Sequence, residues 1–266
     1  MKVLILPTAE RAAMHVANHI ADTVTGTANP VLGLATGGTM EPVYRELVHR
    51  HQAGGLSFVG VTTFNLDEYV GLPSAHPQSY HSTMRRLLFD HVDIDLARCH
   101  LPQGDTKDVE VEAARYEAAI ADAGGIDLQL LGVGSNGHIG FNEPTSSLGA
   151  RTRVKTLTRE TRSANARFFS SPDEVPRYAL TMGPATIMDA RQCVLLAIGA
   201  GKADAIARMV EGPVGADCPA TALQWHPKAT IVLDPDAASK LKMIAYYQYV
   251  HPDGQEPELG GGDGQS

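Results

Sequence analysis

Short apolar runs alternate along the chain with stretches whose apolar positions recur every three or four residues. Val3 to Leu6 reads as a strand, after which Met14, Ala17, Ile20 and Val24 repeat at helical spacing. Val31 to Leu34 is a second strand, ending in Ala35-Thr36-Gly37-Gly38-Thr39. Glu41-Pro42 opens a helix carrying Val43, Leu47 and Val48, because proline is tolerated in a first turn. Val59 to Phe64 is a third strand. Tyr80, Met84, Leu87 and Leu88 mark one helix and Val111 to Ile120 another. Ile126 to Val133 is nearly continuous in apolar residues, as a strand buried on both faces requires. Cys193 to Ile198 and Thr230 to Leu233 are later strands, separated by a helix from about Ala203 to Val210. Such alternation predicts an α/β fold, an open, mostly parallel twisted sheet with helices on both faces. One unit is expected over residues 1–250, with no internal repeat or linker. The tail at 251–266, HPDGQEPELGGGDGQS, is Gly-rich and nearly free of apolar residues, so it is expected to be disordered.

Composition narrows the function classes. The chain has 266 residues, 22 Lys and Arg against 30 Asp and Glu, and a formal net charge of −8. An acidic balance argues against a nucleic-acid coat or a polybasic membrane anchor, and at first sight against an anionic ligand. Cys99, Cys193 and Cys218 are widely spaced and form no CxxC, which fits a reducing compartment and a cytoplasmic protein. The N-terminal MKVLILP is too short for a signal h-region, and no run approaches the length of a membrane span. His49 and His51 lie close together, but on what reads as a solvated helix end, so no metal site is expected there.

In folds of this class ligands bind beyond the carboxyl ends of strands. The residues just past each strand are therefore informative. After the second strand, Thr36-Gly37-Gly38-Thr39 leads into a helix. Consecutive glycines let several N–H groups face one point, and the helix start adds partial positive charge, which suits a phosphate. The same residues also suit a tight turn with no ligand. After the third strand come Asp67 and Glu68 in Asn65-Leu66-Asp67-Glu68-Tyr69. Two acids there can transfer protons, with only one entering the site if the segment is extended. They can equally be a solvated loop pair. After the buried strand comes GVGSNGHIGFNEP, residues 132–144. Its first six residues match GxGxxG in form, yet the run continues as a loop, which argues against a dinucleotide. His138 and Glu143 are candidates for a His–carboxylate pair. Charge is also uneven: Arg151, Arg153, Lys155, Arg159, Arg162 and Arg167 face one acid, Glu160. That cluster reads as an anion-binding segment or as a solvated basic face. Lys202 comes after glycines at the mouth of another strand.

Four segments in order, LGLATGGTMEPVYREL, FNLDEYVGLPSAHPQSYHSTM, GVGSNGHIGFNEPTSSLGARTRVKTL and LQWHPKATIVLD, resemble the glucosamine-6-phosphate deaminases. The likeness spans roughly residues 1–245, and NLDEYVGL and GHIGFNEP are its most specific parts. The wider fold family, Rossmann-like in its sheet, includes 6-phosphogluconolactonases and pentose-phosphate isomerases, which share the phosphate loop without this pair of motifs. The resemblance implies conversion of glucosamine 6-phosphate and water to fructose 6-phosphate and ammonium, with no metal or organic cofactor. It makes Asp67 the base that moves the C2 proton to C1 through an enolamine. It makes His138 the ring-opening base and Glu143 its carboxylate partner. Asn136 stands where many members carry Asp and others Asn; an amide can orient the imidazole without supplying a full charge.

By the same resemblance the phosphate lies on Gly37, Gly38 and Thr39, beside Thr36, with Lys202 and Arg167 closing on it. Arg167 falls in SANARFF, which is similar to a small mobile lid. Some members form a hexamer activated by N-acetylglucosamine 6-phosphate at a site matched here by Ser146, Arg153, Lys155 and Thr156. Others are unregulated monomers. Three readings compete: a lactonase, a galactosamine-6-phosphate enzyme of the same fold, and a non-catalytic sugar-phosphate sensor. Related sensors usually carry a DNA-binding helix-turn-helix, for which no room precedes the first strand.

Overall fold

The structure is a computed structural model and describes residues 1–255. Strands β1 (Lys2–Ile5), β2 (Val31–Leu34) and β3 (Thr62–Asn65) alternate with helices α1 (Ala9–Gly26) and α2 (Glu41–Gln52). A three-residue strand β4 (Asp67–Tyr69) comes after them, then α3 (Tyr80–Leu87), β5 (Cys99–His100), α4 (Val109–Asp122) and β6 (Leu128–Leu131). Next come β7 (Arg153–Thr156), α5 (Arg159–Asn165), β8 (Tyr178–Thr181), α6 (Pro184–Met188), β9 (Cys193–Ala197) and α7 (Ala203–Glu211). The described chain closes with β10 (Ala229–Leu233), α8 (Pro235–Ala238) and α9 (Ile244–Val250).

Seven strands form one sheet in the order β1-β10-β9-β6-β2-β3-β5, with parallel pairing throughout. Its central strands are buried along their whole length, as VLGL in β2, LQLL in β6 and CVLLA in β9. That is why they read as continuous apolar runs. The helices bury one stripe each and are capped as their sequences suggest. Thr8 accepts from Arg11 N at the start of α1, and Asp108 accepts from Glu110 N and Val111 N at the start of α4.

Beside this sheet lies a second, three-stranded antiparallel one in the order β4-β8-β7. It was not apparent from periodicity, because DEY and RVKT carry no apolar alternation. β4 is buried by its partners instead, and β7 stays half-buried to exposed. Asp67 and Arg153 both stand opposite Thr181, and a satellite core of Tyr69, Phe141, Leu157 and Ala179 packs beneath them.

Two further expectations need correction. The third strand starts later than Val59, which is 73% exposed, because residues 58–61 make a turn closed by Val61 N donating to Phe58 O. Gly60 there takes a φ of +84°. The tail expected to be disordered from 251 begins with an ordered turn, Pro252–Gly254, whose Gly254 is buried against Leu6. Residues 256–266 of that tail lie outside the described residues.

Two connections set the position of the site. From β2 the chain moves to β3 on one side, and from β6 it eventually reaches β9 on the other. A crevice therefore opens beyond the carboxyl ends of β2 and β6, at the point where the winding reverses. Gly33 in β2 keeps this region close-packed. A Cβ there would overlap the Gln129 amide, which is buried and held by donation to Leu130 O at 2.8 Å. Gly33→Ala is expected to destabilise by about 1–3 kcal/mol through overpacking. A thermal melt reads this as a lowered Tm; an unchanged Tm would show that Gln129 has another place to go.

Candidate active site

The crevice is a cavity of about 230 Å³. Its floor is the turn after β2, Thr36 to Thr39, where Gly37 adopts a φ of +117° and Met40 N closes the turn by donating to Gly37 O at 2.9 Å. Helix α2 starts immediately beyond, so backbone N–H groups and the positive helix end face the cavity. Arg167 and Lys202 reach the same place from different elements. Arg167 rides on a 3₁₀ turn, Ala166–Phe168, and its guanidinium stands 4.0 Å from where a Cβ on Gly38 would be. Lys202 ends the turn after β9, and burial, with Arg167 close by, lowers its proton affinity. Two cations meeting over a glycine turn make a natural seat for a dianion.

Asp67 lines the opposite wall. It is held by β4 pairing with β8 and is 6% exposed. Burial, reinforced by the neighbouring Glu68 charge, pushes its carboxyl from an ordinary 3.8 up to about 8. Glu68 points away, into the start of α3, and is itself 1% exposed. The two acids are thus not a solvated loop pair.

The third wall is the loop after β6. His138 lines the cavity, and its Nδ1 lies 3.3 Å from Glu143 Oε2, too poorly aligned for a straight hydrogen bond. Asn136 braces both groups. Its Nδ2 donates to Glu143 Oε2 at 2.8 Å, and its Oδ1 accepts from His138 N at 3.2 Å. The other oxygen of Glu143 accepts from Thr158 N at 3.2 Å, at the start of α5. Burial raises the Glu143 carboxyl, but His138, Thr161 and Asn136 together outweigh it and hold it down to about 2. Glycines make this loop feasible. A Cβ on Gly134 would overlap the His138 ring. A Cβ on Gly140, at φ +53°, would lie 2.9 Å from Thr181 Oγ1 and 3.4 Å from Asp67 Oδ2.

The sequence-marked residues therefore divide. Thr36, Gly37, Gly38, Thr39, Asp67, Asn136, His138, Arg167 and Lys202 line one cavity, with Glu143 directly behind His138. The basic segment does not act as a unit. Arg151 pairs with Asp189, Arg162 donates to Val175 O at 2.9 Å, and among the six cations only Arg167 lines the cavity. Ser146, Arg153, Lys155 and Thr156 lie outside it. Ser146 is buried and donates to Glu143 O at 2.6 Å, and Arg153 donates to Asn142 Oδ1 at 2.8 Å. Tyr80, Glu160 and Asn165 also line the cavity, and periodicity marked none of them for it. For Thr158 a signal existed: it is the N-cap of α5, accepting from Thr161 N. Of the two paired histidines, His51 bonds Leu56 O at 2.9 Å; among the described residues no three His, Cys, Asp or Glu side chains gather as a metal site.

The model of the family Glucosamine-6-phosphate isomerases/6-phosphogluconolactonase matches residues 7–232. The chain belongs to this family. Among the relatives of this family member, a glucosamine-6-phosphate deaminase of Hahella chejuensis is 53% identical over 250 residues, covering 94% of this chain and 95% of that one. A solved structure described as a monomeric glucosamine-6-phosphate deaminase superposes with a TM-score of 0.89 at 47% identity, covering 90% of this chain and all of that one. A 6-phosphogluconolactonase from Trypanosoma brucei shares the fold at a TM-score of 0.69 and 20% identity, over 90% and 98% of the two chains.

The buried Asp67 carries a stability consequence. A carboxyl whose proton affinity is raised on folding contributes stability that is complete below its ordinary 3.8 and lost as pH rises through about 8. Asp67→Asn removes the buried charge at nearly constant shape. The variant is expected to melt above the unsubstituted protein at pH values near and above 8, with the gain vanishing toward acid. Melts across pH check this; a variant less stable at alkaline pH would contradict it.

Proposed function

We propose that this chain converts glucosamine 6-phosphate and water to fructose 6-phosphate and ammonium. The observation that carries this reading is the facing arrangement of Asp67 and the His138–Glu143 pair across a cavity floored by a glycine turn and two cations. The deaminase relatives support it, because they match nearly the whole chain at about half identity.

The phosphate binds the Gly37, Gly38 and Thr39 amides, with the Thr36 hydroxyl nearby and Arg167 and Lys202 as counter-ions. His138 takes the proton from the anomeric hydroxyl and passes it to the ring oxygen, opening the ring. Glu143, ionised at any working pH, orients the imidazole. Asp67 then removes the C2 proton and delivers it to C1 through the enolamine. Water adds to the resulting C2 imine, and the amine leaves as ammonium. A carboxyl with raised proton affinity suits this work, because it matches a base to a weakly acidic C–H near neutrality. The helix α5 and the turn bearing Arg167 act as the lid. Nothing in this sequence of steps calls for a metal or organic cofactor.

Ser146, Arg153, Lys155 and Thr156 form the proposed second anion site. What supports it is adjacency: Arg153 grips Asn142 and Ser146 grips Glu143, so an anion on that strand would act directly on the loop carrying His138. Activation by N-acetylglucosamine 6-phosphate would go with a hexamer, and its absence with a monomer. Residues 1–250 are read as the catalytic unit, and the setting as cytoplasmic; among the described residues no helix is long and apolar enough to cross a membrane.

Ammonium release from glucosamine and galactosamine 6-phosphates, beside acid release from 6-phosphogluconolactone, tests the activity; lactone hydrolysis without ammonium release from either amino sugar would overturn it. Asp67→Asn is expected to lose turnover by at least about a thousandfold while still binding sugar phosphate. Loss of binding along with activity would remove the assigned role. The same assay with the acetylated analogue, beside a sizing measurement, decides the second site.

A further inference from the structure

We propose that Glu68 is a positioning residue that ties the strand carrying Asp67 to the start of helix α3, fixing Asp67 and Tyr80 relative to one another. The inference rests on Asp67 being the base of the proposed reaction.

Glu68 is buried and fully engaged. Its Oε1 accepts from Tyr69 N at 2.8 Å and from Tyr80 N at 3.0 Å, and its Oε2 accepts from His81 N at 3.1 Å. One carboxylate thus binds the strand β4 and the first two residues of α3. The next amide of that helix is satisfied separately, by Ser79 Oγ accepting from Ser82 N at 3.1 Å. A second tie runs alongside, since Tyr80 and Tyr69 join hydroxyl to hydroxyl at 3.3 Å with ring centroids 5.0 Å apart. Tyr80 lines the cavity with Asp67 and Thr36. Gly104 backs this arrangement. A Cβ there would overlap Tyr69 O and lie 3.1 Å from Glu68 Cγ.

Helix capping alone does not require this residue. A Ser, Thr, Asn or Asp at the cap position does that work, and Ser79 already occupies it. Placing a second buried carboxylate beside the base is costly unless the contact does more. The charged and titratable groups facing Glu68 are Asp67 and Tyr69 on its own strand, Tyr80 and His81 from α3, and Asp105 from the segment before α4. The Glu68 charge raises the proton affinity of Asp67. A carboxylate here therefore affects both where the base sits and when it is ionised.

Two substitutions separate these effects in the full chain, by steady-state rates with glucosamine 6-phosphate from about pH 5 to pH 9. Glu68→Gln removes the charge and the His81 contact. Its kcat is expected to fall about tenfold to a hundredfold with KM within about threefold, and its acidic limb to move to lower pH. Glu68→Asp keeps the charge on a side chain too short to hold α3, so kcat falls while the limb stays in place. A kcat for Glu68→Gln within about twofold of the unsubstituted protein, or an unmoved limb in that variant, would overturn the proposal. If Glu68→Gln does not fold, Glu68→Asp decides alone, and full kcat there would overturn it. Asp67→Asn serves as the control. Turnover by that variant would refute the base assignment itself, whereas an inactive Asp67→Asn beside a normal Glu68→Gln would refute only the role of Glu68.

Discussion

The chain leaves β2 in one direction across the sheet and β6 in the other, and everything in the site depends on that parting. Parallel strands put their carboxyl ends on one edge, and a reversal of winding leaves a gap between two neighbouring ends. The turn after β2 and the loop after β6 face each other across it. The antiparallel strand β4 and the segment from α5 to Arg167 supply the remaining walls. The gap is therefore a property of topology, and the sequence only has to decorate it.

The decoration consists largely of buried charge handled in three ways. Glu143 is stabilised by its partners: a histidine, an asparagine and a threonine hydroxyl and amide keep it ionised. Glu68 accepts from three backbone N–H groups, which oppose the burial that still raises its carboxyl to about 7. Asp67 has its proton affinity raised by burial and by Glu68, and so it is poised to exchange a proton. What sets Asp67 apart from Glu68 is its place on the cavity wall. The negative balance of the whole chain does not argue against an anionic ligand, because Arg167 and Lys202 stand close over a turn without side chains at 37 and 38. Solvent screens the scattered surface acids.

Much of this was legible in the sequence, for physical reasons. Fully buried parallel strands are apolar at nearly every position, so β2, β6, β9 and β10 stand out. Glycines past strand ends mark the cavity: Gly37 turns its floor at positive φ, and Gly134 makes room for the His138 imidazole. The small second sheet was not legible, because Asp67, Glu68, Arg153 and Lys155 are charged and their strands are three or four residues long. Nor was the fate of the basic segment. Arg151 and Arg162 read the same as Arg167 in a row of letters, and only the fold sends two of them to an aspartate and a carbonyl. Tyr80 reads only as a helix position in the sequence; its place in the cavity goes with Glu68 holding the start of α3 to β4.

The central claim is that a single held carboxylate, Asp67, carries the proton between C2 and C1 on one face of the sugar. Turnover of glucosamine 6-phosphate in deuterium oxide, monitored by NMR of the C1 methylene of the fructose 6-phosphate formed, tests it most directly. The account predicts that the hydrogen newly placed on C1, whether from solvent or from C2, occupies one prochiral position. Label distributed equally over both positions would mean that free water delivers the proton, and would contradict it.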